Sequence, residues 1–265
     1  MRTYLVLLIA LIGLFVSAAT TAAELRTETI EYQLNGDSYT GYIAWDAAQD
    51  GERPGVLVVH EWWGHGDYVR RRARELARLG YTGFALDMYG QGKRADHPDE
   101  AKQFSQAALS DMDQAERRFR AAMARLKAHP SVDEDRIAAQ GYCFGGGVVL
   151  AMARRGLDLD GVVSFHGSLG AGEPAEPGEV KAAVRVHTGG ADQLVPADQV
   201  AAFVEEMHRA GADYAVHSYP GVQHSFTNPA ADEYAERFGL PVAYDAEADQ
   251  RSWEATKAFY REIFQ

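Results

Sequence analysis

The chain has 265 residues, of which 46% are apolar and 11% are aromatic. This composition supplies enough apolar surface for a large buried core and excludes a disordered, collagenous or small disulfide-stabilised protein. The formal net charge of −12 excludes a basic nucleic-acid-binding surface as the main feature of the chain. Cys143 is the only cysteine, so neither an intrachain disulfide nor a paired-cysteine metal or redox site can form.

The N-terminal segment has the pattern of a secretory signal peptide. Met1-Arg2 is a short positive segment, residues 5–16 are apolar, and residues 17–23 are mostly small and end at Ala23. This arrangement predicts cleavage near Ala23 and export of the mature chain to the periplasm or the medium. The alternative, an uncleaved membrane anchor, is disfavoured by the shortness of the apolar run. We expect no membrane association after cleavage.

The mature chain opens with a predicted β-hairpin. Apolar and polar residues alternate over residues 29–34 and 38–44, as in strands with one buried face. The two runs are separated by Asn35-Gly36-Asp37, and an Asn-Gly pair in this position is a strong hairpin signal.

The rest of the chain alternates between strand and helix patterns. Strands are predicted at residues 55–60, 81–86, 136–140, 161–165, 183–187 and 214–219. Helices are predicted at residues 67–79, 99–129, 146–155, 197–210 and 246–264. Such alternation predicts an α/β fold, with a mostly parallel central sheet and helices on both faces. Because no repeat or linker interrupts the pattern, residues 24–265 are expected to form a single domain.

One motif joins the strand at 136–140 to the helix that follows it. The motif has the form G-x-C-x-G and reads Gly141-Tyr142-Cys143-Phe144-Gly145. It matches the nucleophile elbow G-x-S-x-G with a thiol in place of the hydroxyl. Glycines on both sides suit a tight strand-to-helix turn, and a thiol at a helix N-terminus is favoured as the thiolate. We therefore predict that Cys143 is an exposed nucleophile; the alternative is an inert buried cysteine.

An acid and a base follow this motif in the chain order that the fold requires. Asp192 lies on a glycine-bearing loop after the strand at 183–187, and His224 lies on a loop after the strand at 214–219. Open α/β sheets place their sites at such strand ends. Asp192 is predicted to orient His224, the predicted base. If Asp192 is only a turn or helix-cap residue, Asp198 is the substitute.

Other polar residues are given simpler interpretations. His60 and His166 end predicted strands and could line the site, but neither has the position that the order demands. The arginine cluster of the helix at 67–79, residues 70–72 and 74, predicts a solvated face. His60-Glu61 is not followed by a histidine at the spacing of H-E-x-x-H, so no metal site is expected, and no nucleotide-binding motif is present.

Several short segments together resemble the dienelactone hydrolase family of α/β-hydrolases. They read His60-Glu61-Trp62-Trp63-Gly64, Asp87-Met88-Tyr89-Gly90, Gly141-Tyr142-Cys143-Phe144-Gly145-Gly146, Gly190-Ala191-Asp192 and His224-Ser225-Phe226. The resemblance implies an α/β-hydrolase fold with Cys143 as nucleophile, Asp192 as orienting acid and His224 as base. It also implies that the Glu61 carboxylate engages the cysteine and that the backbone N–H groups of Trp62 and Phe144 form an oxyanion hole.

Two positions depart from the family members that hydrolyse dienelactone itself. In those members two arginines hold the substrate carboxylate, and here the corresponding residues are Gln91 and Asn228. Either Lys93 or Arg94 could substitute for the first. Aromatic residues near the motifs are further candidates for pocket walls, although each could instead pack in the core. They are Trp63, Tyr89, Tyr142 and Phe226.

These observations predict a cysteine-dependent hydrolase of carboxylic esters or enol-lactones that acts through an acyl-thioester without a cofactor. Because a thiolate is itself easily expelled, activated esters and enol-lactones should be preferred over alkyl esters. The alternatives are true dienelactone hydrolysis with altered carboxylate recognition and a non-catalytic binding protein. The expected partner is a small-molecule ester or lactone, and the chain is expected to be a monomer or small homo-oligomer. A further hypothesis is that Glu61 protects the resting thiol of Cys143 from oxidation.

Overall fold

The computed structural model describes residues 23–265, and the predicted signal peptide lies outside them except for Ala23. The described chain forms an eight-stranded sheet in the order β1-β2-β4-β3-β5-β6-β7-β8. The strands are β1 (Leu25–Leu34), β2 (Asp37–Asp46), β3 (Arg53–Val59), β4 (Thr82–Leu86), β5 (Val132–Tyr142), β6 (Gly161–Phe165), β7 (Ala183–Gly189) and β8 (Tyr214–Tyr219). The helices are α1 (Asp67–Arg78), α2 (Pro98–Leu109), α3 (Met112–Lys127), α4 (Phe144–Arg154), α5 (Ala197–Ala210), α6 (Ala231–Phe238) and α7 (Ala246–Ile263).

The N-terminal hairpin is formed as the sequence predicts. Strand β1 pairs antiparallel with β2, and Leu34 faces Asp37 across the turn. Asn35 and Gly36 have φ angles of 53° and 89°. Positive φ at both central residues is what a type I′ turn requires, and this turn matches the twist of the flanking strands. Strand β2 then pairs antiparallel with β4, which attaches the hairpin to the main sheet.

The remaining neighbours in the sheet pair in parallel, from β4 and β3 through to β7 and β8. Strand β3 is buried along its whole length because both sheet faces are covered. Its side chains alternate: Leu57 and Val59 join the apolar layer under α3, α4 and α5, whereas Val56 and Val58 join the layer under α1 and α7. The predicted fold class, a mostly parallel sheet with helices on both faces and an antiparallel hairpin, is confirmed.

The helices differ from the prediction at two places. Residues 99–129 form two helices, because the Asp111 side chain accepts a hydrogen bond of 2.9 Å from Gln114 N and so starts α3 as an N-cap. Helix α6 was not predicted, since its eight residues make too short a pattern to recognise. Within residues 23–265, no helix combines the length and apolar character needed to cross a membrane.

Candidate active site

Cys143 occupies a sharp turn between β5 and α4. Its φ and ψ are 53° and −114°, a conformation that non-glycine residues rarely adopt. A Cβ atom at Gly141 would overlap Gly145 O, and one at Gly145 would overlap Val59 O. The turn therefore closes only with glycine at both positions, and this is the physical basis of the G-x-C-x-G pattern. Cys143 itself is half-buried at the N-terminus of α4.

A histidine that sequence reasoning left without a role supports this turn. Cys143 N donates to Phe165 O at 3.0 Å and to His166 Nδ1 at 3.2 Å. Burial lowers the pKa of His166 well below its usual range, so the ring stays neutral and Nδ1 can accept. The other ring nitrogen, Nε2, lies 2.8 Å from Thr227 Oγ1. His166 thus connects the elbow to the loop that carries His224.

The structure brings the predicted base and acid together. His224 Nδ1 donates to Asp192 Oδ2 at 2.8 Å, although the residues lie 32 positions apart. The other carboxylate oxygen of Asp192 accepts from the backbone N–H groups of Leu194 and Val195, at 2.8 and 3.1 Å. His224 and Asp192 are 4% and 5% exposed. Asp192 therefore has its orientation fixed at both oxygens, and Nε2 of His224 is left without a hydrogen-bond partner among the described residues.

The charge environment of His224 favours its protonated form. Burial by itself lowers the pKa of His224, but the charge of the nearby Cys143 and the hydrogen bond to Asp192 raise this pKa to about 10. His224 is therefore held in its protonated form at neutral pH. No hydrogen bond links the thiol to His224 Nε2 in this structure.

Cys143 and His224 line one cavity of about 480 Å³ at the carboxyl ends of the strands. Its other walls are largely apolar and include Trp62, Leu109, Phe144, Leu194 and Val195. The described residues offer no hydrogen-bond acceptor to the backbone N–H groups of Trp62 and Phe144. Unpaired backbone donors are groups that bind an oxyanion, and the assignment of these two to an oxyanion hole stays a prediction.

Glu61 lies next to the site but is not bonded to the thiol. It is 4% exposed, and its Oε2 accepts from Asn228 Nδ2 at 2.5 Å while its Oε1 has no partner among the described residues. Burial raises the pKa of Glu61 to about 7, against the lowering effect of Asn228 and His224. Glu61 and Asn228 line a second cavity of about 540 Å³ that is separate from the one containing Cys143. The protective role of Glu61 stays a prediction.

None of the six candidate pocket residues is among the residues that line the cavity of Cys143 and His224, and their role in substrate binding stays a prediction. Trp63 and Asn228 line the second cavity instead. Tyr89 is 8% exposed, and its hydroxyl donates to Trp62 O at 3.0 Å. Of the other candidate pocket residues, Gln91 is exposed, whereas Tyr142 and Phe226 are buried in apolar clusters. Strand side chains alternate between faces, so Tyr142 points into the core directly before Cys143 turns towards the cavity.

Sequence reasoning also missed the role of Arg72, which was assigned to a solvated face. Arg72 is 4% exposed and donates to Thr227 O at 2.9 Å, Asp249 Oδ1 at 2.6 Å and Glu75 Oε2 at 2.9 Å. A signal for this burial was present, because Arg72 lies three residues after Val69 and four before Leu76, which are buried on the same face of α1. Arg72 anchors the backbone of the segment that carries His224.

Within residues 23–265, no group of three or more His, Cys, Asp or Glu side chains is placed to hold a metal ion.

Comparison with known proteins identifies the family of this chain. The model of the dienelactone hydrolase family matches residues 39–264. A solved structure of the dienelactone hydrolase-like promiscuous phosphotriesterase P91 from metagenomic libraries is 33% identical, with a TM-score of 0.83 over 91% of this chain and 99% of that one. Protein usf of Aquifex pyrophilus is 29% identical over 89% of this chain and 98% of its own length. A relative from Aquifex aeolicus with the provisional name carboxymethylenebutenolidase is 26% identical over 88% and 97%. The chain therefore belongs to the dienelactone hydrolase family of α/β-hydrolases and is a hydrolase of esters or lactones.

Proposed function

We propose that the protein hydrolyses uncharged carboxylic esters or enol-lactones through an acyl-thioester on Cys143. One observation carries this proposal: His224 is held by Asp192 at 2.8 Å through Nδ1, and its unpartnered Nε2 belongs to the residue that shares a cavity with Cys143. A nucleophile, a base and an orienting acid in this relation are the working parts of acyl transfer.

Acylation begins with the Cys143 thiolate and the His224 imidazolium, the pair that the raised pKa of His224 favours. The sulfur attacks the carbonyl carbon, and the carbonyl oxygen becomes an oxyanion that accepts hydrogen bonds from Trp62 N and Phe144 N. When the C–O bond to the leaving group breaks, His224 Nε2 gives its proton to the departing oxygen. The products of this half-reaction are an alcohol or enol and the acyl-thioester.

Deacylation uses the same groups in the reverse protonation state. Neutral His224 takes a proton from water through Nε2, and the water oxygen attacks the thioester carbon. The oxyanion again lies at the N–H groups of Trp62 and Phe144. Collapse expels the Cys143 thiolate and releases the carboxylic acid, so the imidazolium and thiolate are restored. Asp192 keeps Nδ1 protonated throughout and holds Nε2 towards the substrate.

The wall of the cavity indicates which substrates fit. The described residues that line it include no lysine or arginine, so apart from the catalytic His224 no cationic side chain is available there for a substrate carboxylate. Gln91 and Asn228, which stand where other family members have arginine, do not bind a carboxylate in this cavity either. Gln91 is exposed and does not line the cavity, and Asn228 is hydrogen-bonded to Glu61. The geometry therefore favours an uncharged substrate over the carboxylated dienelactone, which remains the alternative with altered recognition.

A second candidate activity is the hydrolysis of uncharged aryl phosphotriesters. It is favoured by the same cavity without lysine or arginine and by the 33% identity to a protein described as a promiscuous phosphotriesterase. Here the thiolate would attack phosphorus and expel the aryloxide, which takes the proton of His224; water activated by His224 would then attack phosphorus, expel the thiolate and release the phosphodiester. Parallel assays of an aryl ester and an aryl phosphotriester with the same leaving group would compare the two activities directly.

The test of the main proposal is a comparison of the mature chain with Cys143→Ala and Cys143→Ser on phenyl and ethyl esters of one acid. We expect Cys143→Ala to lose at least about 10²–10⁴-fold in kcat/KM and the phenyl ester to be strongly preferred by the wild type. Mass spectrometry of acid-quenched enzyme should show the acyl group on Cys143. Full activity of Cys143→Ala, or equal rates on both esters, would contradict the proposal. A thiol that iodoacetamide labels slowly and without pH dependence would support the binding-protein alternative.

We also infer that the protein is exported, on the basis of the sequence pattern of the N-terminal segment. Expression of the full chain with its N-terminus intact tests this, since mass spectrometry of the extracytoplasmic fraction should find a mature chain that begins at Glu24. Retention of the whole chain inside the cell, with Met1 present, would contradict the inference.

A further inference from the structure

The cavity that holds Cys143 does not end at the site. A second hollow of about 470 Å³ shares Leu109 and Ser168 with it and continues along α4, with Met112 on one side and Gly147 and Ala151 on the other. We call this hollow the distal groove. None of the steps proposed above uses it, and none of the predicted pocket residues belongs to it.

Helix α4 forms the floor of the distal groove along one narrow stripe. From Cys143 to Arg155, the only residues that are not buried are Cys143, Gly147, Ala151 and Arg155, each four positions after the last. Residues four apart lie on one face of a helix. The two central positions carry the smallest side chains, and a Cβ atom at Gly147 would make only ordinary van der Waals contact with Ser168, at 3.6 Å, so no neighbour crowds this position. This stripe therefore starts at Cys143 and runs along α4 into the distal groove.

The spacing of residues along α4 gives the length of the path from Cys143 through the distal groove. With a helical rise of about 1.5 Å per residue, Gly147 lies about 6 Å and Ala151 about 12 Å along the axis from Cys143. Three bonds of an extended chain cover about 3.3–3.6 Å, so about ten bonds reach from the thiol to Ala151. A straight acyl chain of about eight to ten carbons is therefore long enough to extend from Cys143 to Ala151 in the distal groove.

The chemistry of the walls suits an uncharged apolar chain. The arginines at the far end are already paired: Arg154 with Glu206 at 2.8 Å, and Arg155 with Glu116 at 2.5 Å. Among the described residues only three large apolar side chains are exposed, and two of them, Leu109 at 36% and Leu194 at 51%, stand at the mouth of the cavity. Exposed apolar side chains around a cavity are typical of a surface that a ligand covers.

The direction of the distal groove distinguishes the two ends of an ester. A leaving oxygen has to lie at His224 Nε2, the buried and unpartnered nitrogen of the cavity, because it takes its proton there. Leu194 and Val195 follow Asp192 in sequence and line this part of the cavity. The distal groove contains neither Cys143 nor His224 but includes Gly147, one turn of α4 beyond Cys143, so it leads away from the leaving oxygen and is assigned to the acyl group.

We propose that the distal groove binds the acyl chain of a medium-chain ester, with about eight to ten carbons. This inference rests on the function proposed above and names the substrate class of the same site. A ligand in this groove would cover Leu109 and lie over Gly147 and Ala151, while its carbonyl carbon stays at Cys143.

Two series of esters test the proposal. In the first, the acyl chain of p-nitrophenyl esters grows from four to twelve carbons; in the second, the alcohol of an acetate ester grows by the same steps. We expect kcat/KM to rise by up to about fourfold per acyl methylene, the factor for full burial of a methylene, and to level off at eight to ten carbons. Growth of the alcohol should have little effect.

Variants locate the effect in the distal groove. Ala151→Phe should stop the rise at about six carbons, where the chain reaches the new ring beyond Gly147. Met112→Phe fills the groove from α3 and serves as a second variant if Ala151→Phe does not fold. The matched control is Ala124→Phe, the same change at an exposed position of α3, which should leave the chain-length profile unchanged.

Each outcome has a separate meaning. A flat acyl profile in the wild type, or the wild-type profile in folded Ala151→Phe and Met112→Phe, would overturn the proposal. A rise with alcohol length in place of acyl length would overturn it as well, since the groove would then hold the leaving group. Full activity of Cys143→Ala would instead refute the proposed function, so the two failures are distinguishable.

Discussion

Glu61 gives a quantitative prediction because its carboxyl is buried without full hydrogen bonding. Its pKa in the folded chain is about 7, against an ordinary value of 4.5. Between these two values the folded protein holds a proton that the unfolded chain releases, so the free energy of unfolding falls as pH rises. At about 1.4 kcal/mol per pH unit, the loss attributable to Glu61 is about 3 kcal/mol, complete above the folded pKa of about 7 and absent below 4.5.

Glu61→Gln removes the titrating group and keeps the shape of the side chain. The difference in free energy of unfolding between this variant and the wild type should therefore grow in favour of the variant by about 3 kcal/mol from pH 4.5 to pH 8. Urea denaturation followed by tryptophan fluorescence measures it, and the midpoint difference should change by about 1 M or more. Any constant effect on the hydrogen bond to Asn228 cancels in this comparison between pH values.

The matched control is Glu205→Gln, which makes the same substitution at an exposed position of α5. Its difference from the wild type should stay nearly constant over the same range. Parallel stability curves for Glu61→Gln and the wild type would refute the reasoning, since they would show that Glu61 ionises alike in the folded and unfolded chains.

Three further predictions concern the residues around the site. Asp192→Asn should lower kcat by about 10²–10⁴-fold. It should also move the alkaline limb of the pH–rate profile below pH 10, because the hydrogen bond to Asp192 that raises the pKa of His224 is lost. An unmoved limb would count against Asp192 as the residue that orients His224. Arg72→Met should lower the free energy of unfolding by about 3–5 kcal/mol, since it leaves Asp249 and Glu75 without their buried partner. Calorimetry should then show a Tm lower by about 6–20 °C, and recovery in the double variant with Asp249→Leu would confirm the cause. If Glu61 protects the thiol, Glu61→Gln should be inactivated faster by hydrogen peroxide, and an unchanged rate would remove that role.

The parts of the molecule that the sequence predicted are those decided by local chemistry. The hairpin follows from two residues with positive φ, Asn35 and Gly36, and the elbow follows from glycines that no Cβ atom could replace. Asp192 and His224 were found because both follow the carboxyl ends of parallel strands. In a parallel sheet such ends share one edge, so order along the chain is enough to bring their loops together. Their contact at 2.8 Å depended on no feature hidden from the sequence.

The walls of the cavity were not predictable in this way. Tyr142 adjoins Cys143 and Phe226 follows His224 by two positions, yet both side chains are fully buried. Their direction is set by the pleat of β5 and by the packing of the loop after β8, neither of which aromatic character reveals. The residues that do form the wall include Leu109, the last residue of α2, which the structure separates from α3. Because the sequence predicts one continuous helix over residues 99–129, it did not mark Leu109 as a helix end that borders the cavity.

The most informative omission is the connection among the three segments that make the site. Thr227 Oγ1 lies 2.8 Å from His166 Nε2 and 2.6 Å from the Tyr68 hydroxyl, and Thr227 O accepts from Arg72. His166 in turn accepts from Cys143 N. One residue thus ties the elbow, the segment that carries His224 and helix α1 into a single hydrogen-bonded unit. Because the relative position of Cys143 and His224 depends on this unit, a change at Tyr68 or Arg72 can alter the chemistry of the site without touching the substrate.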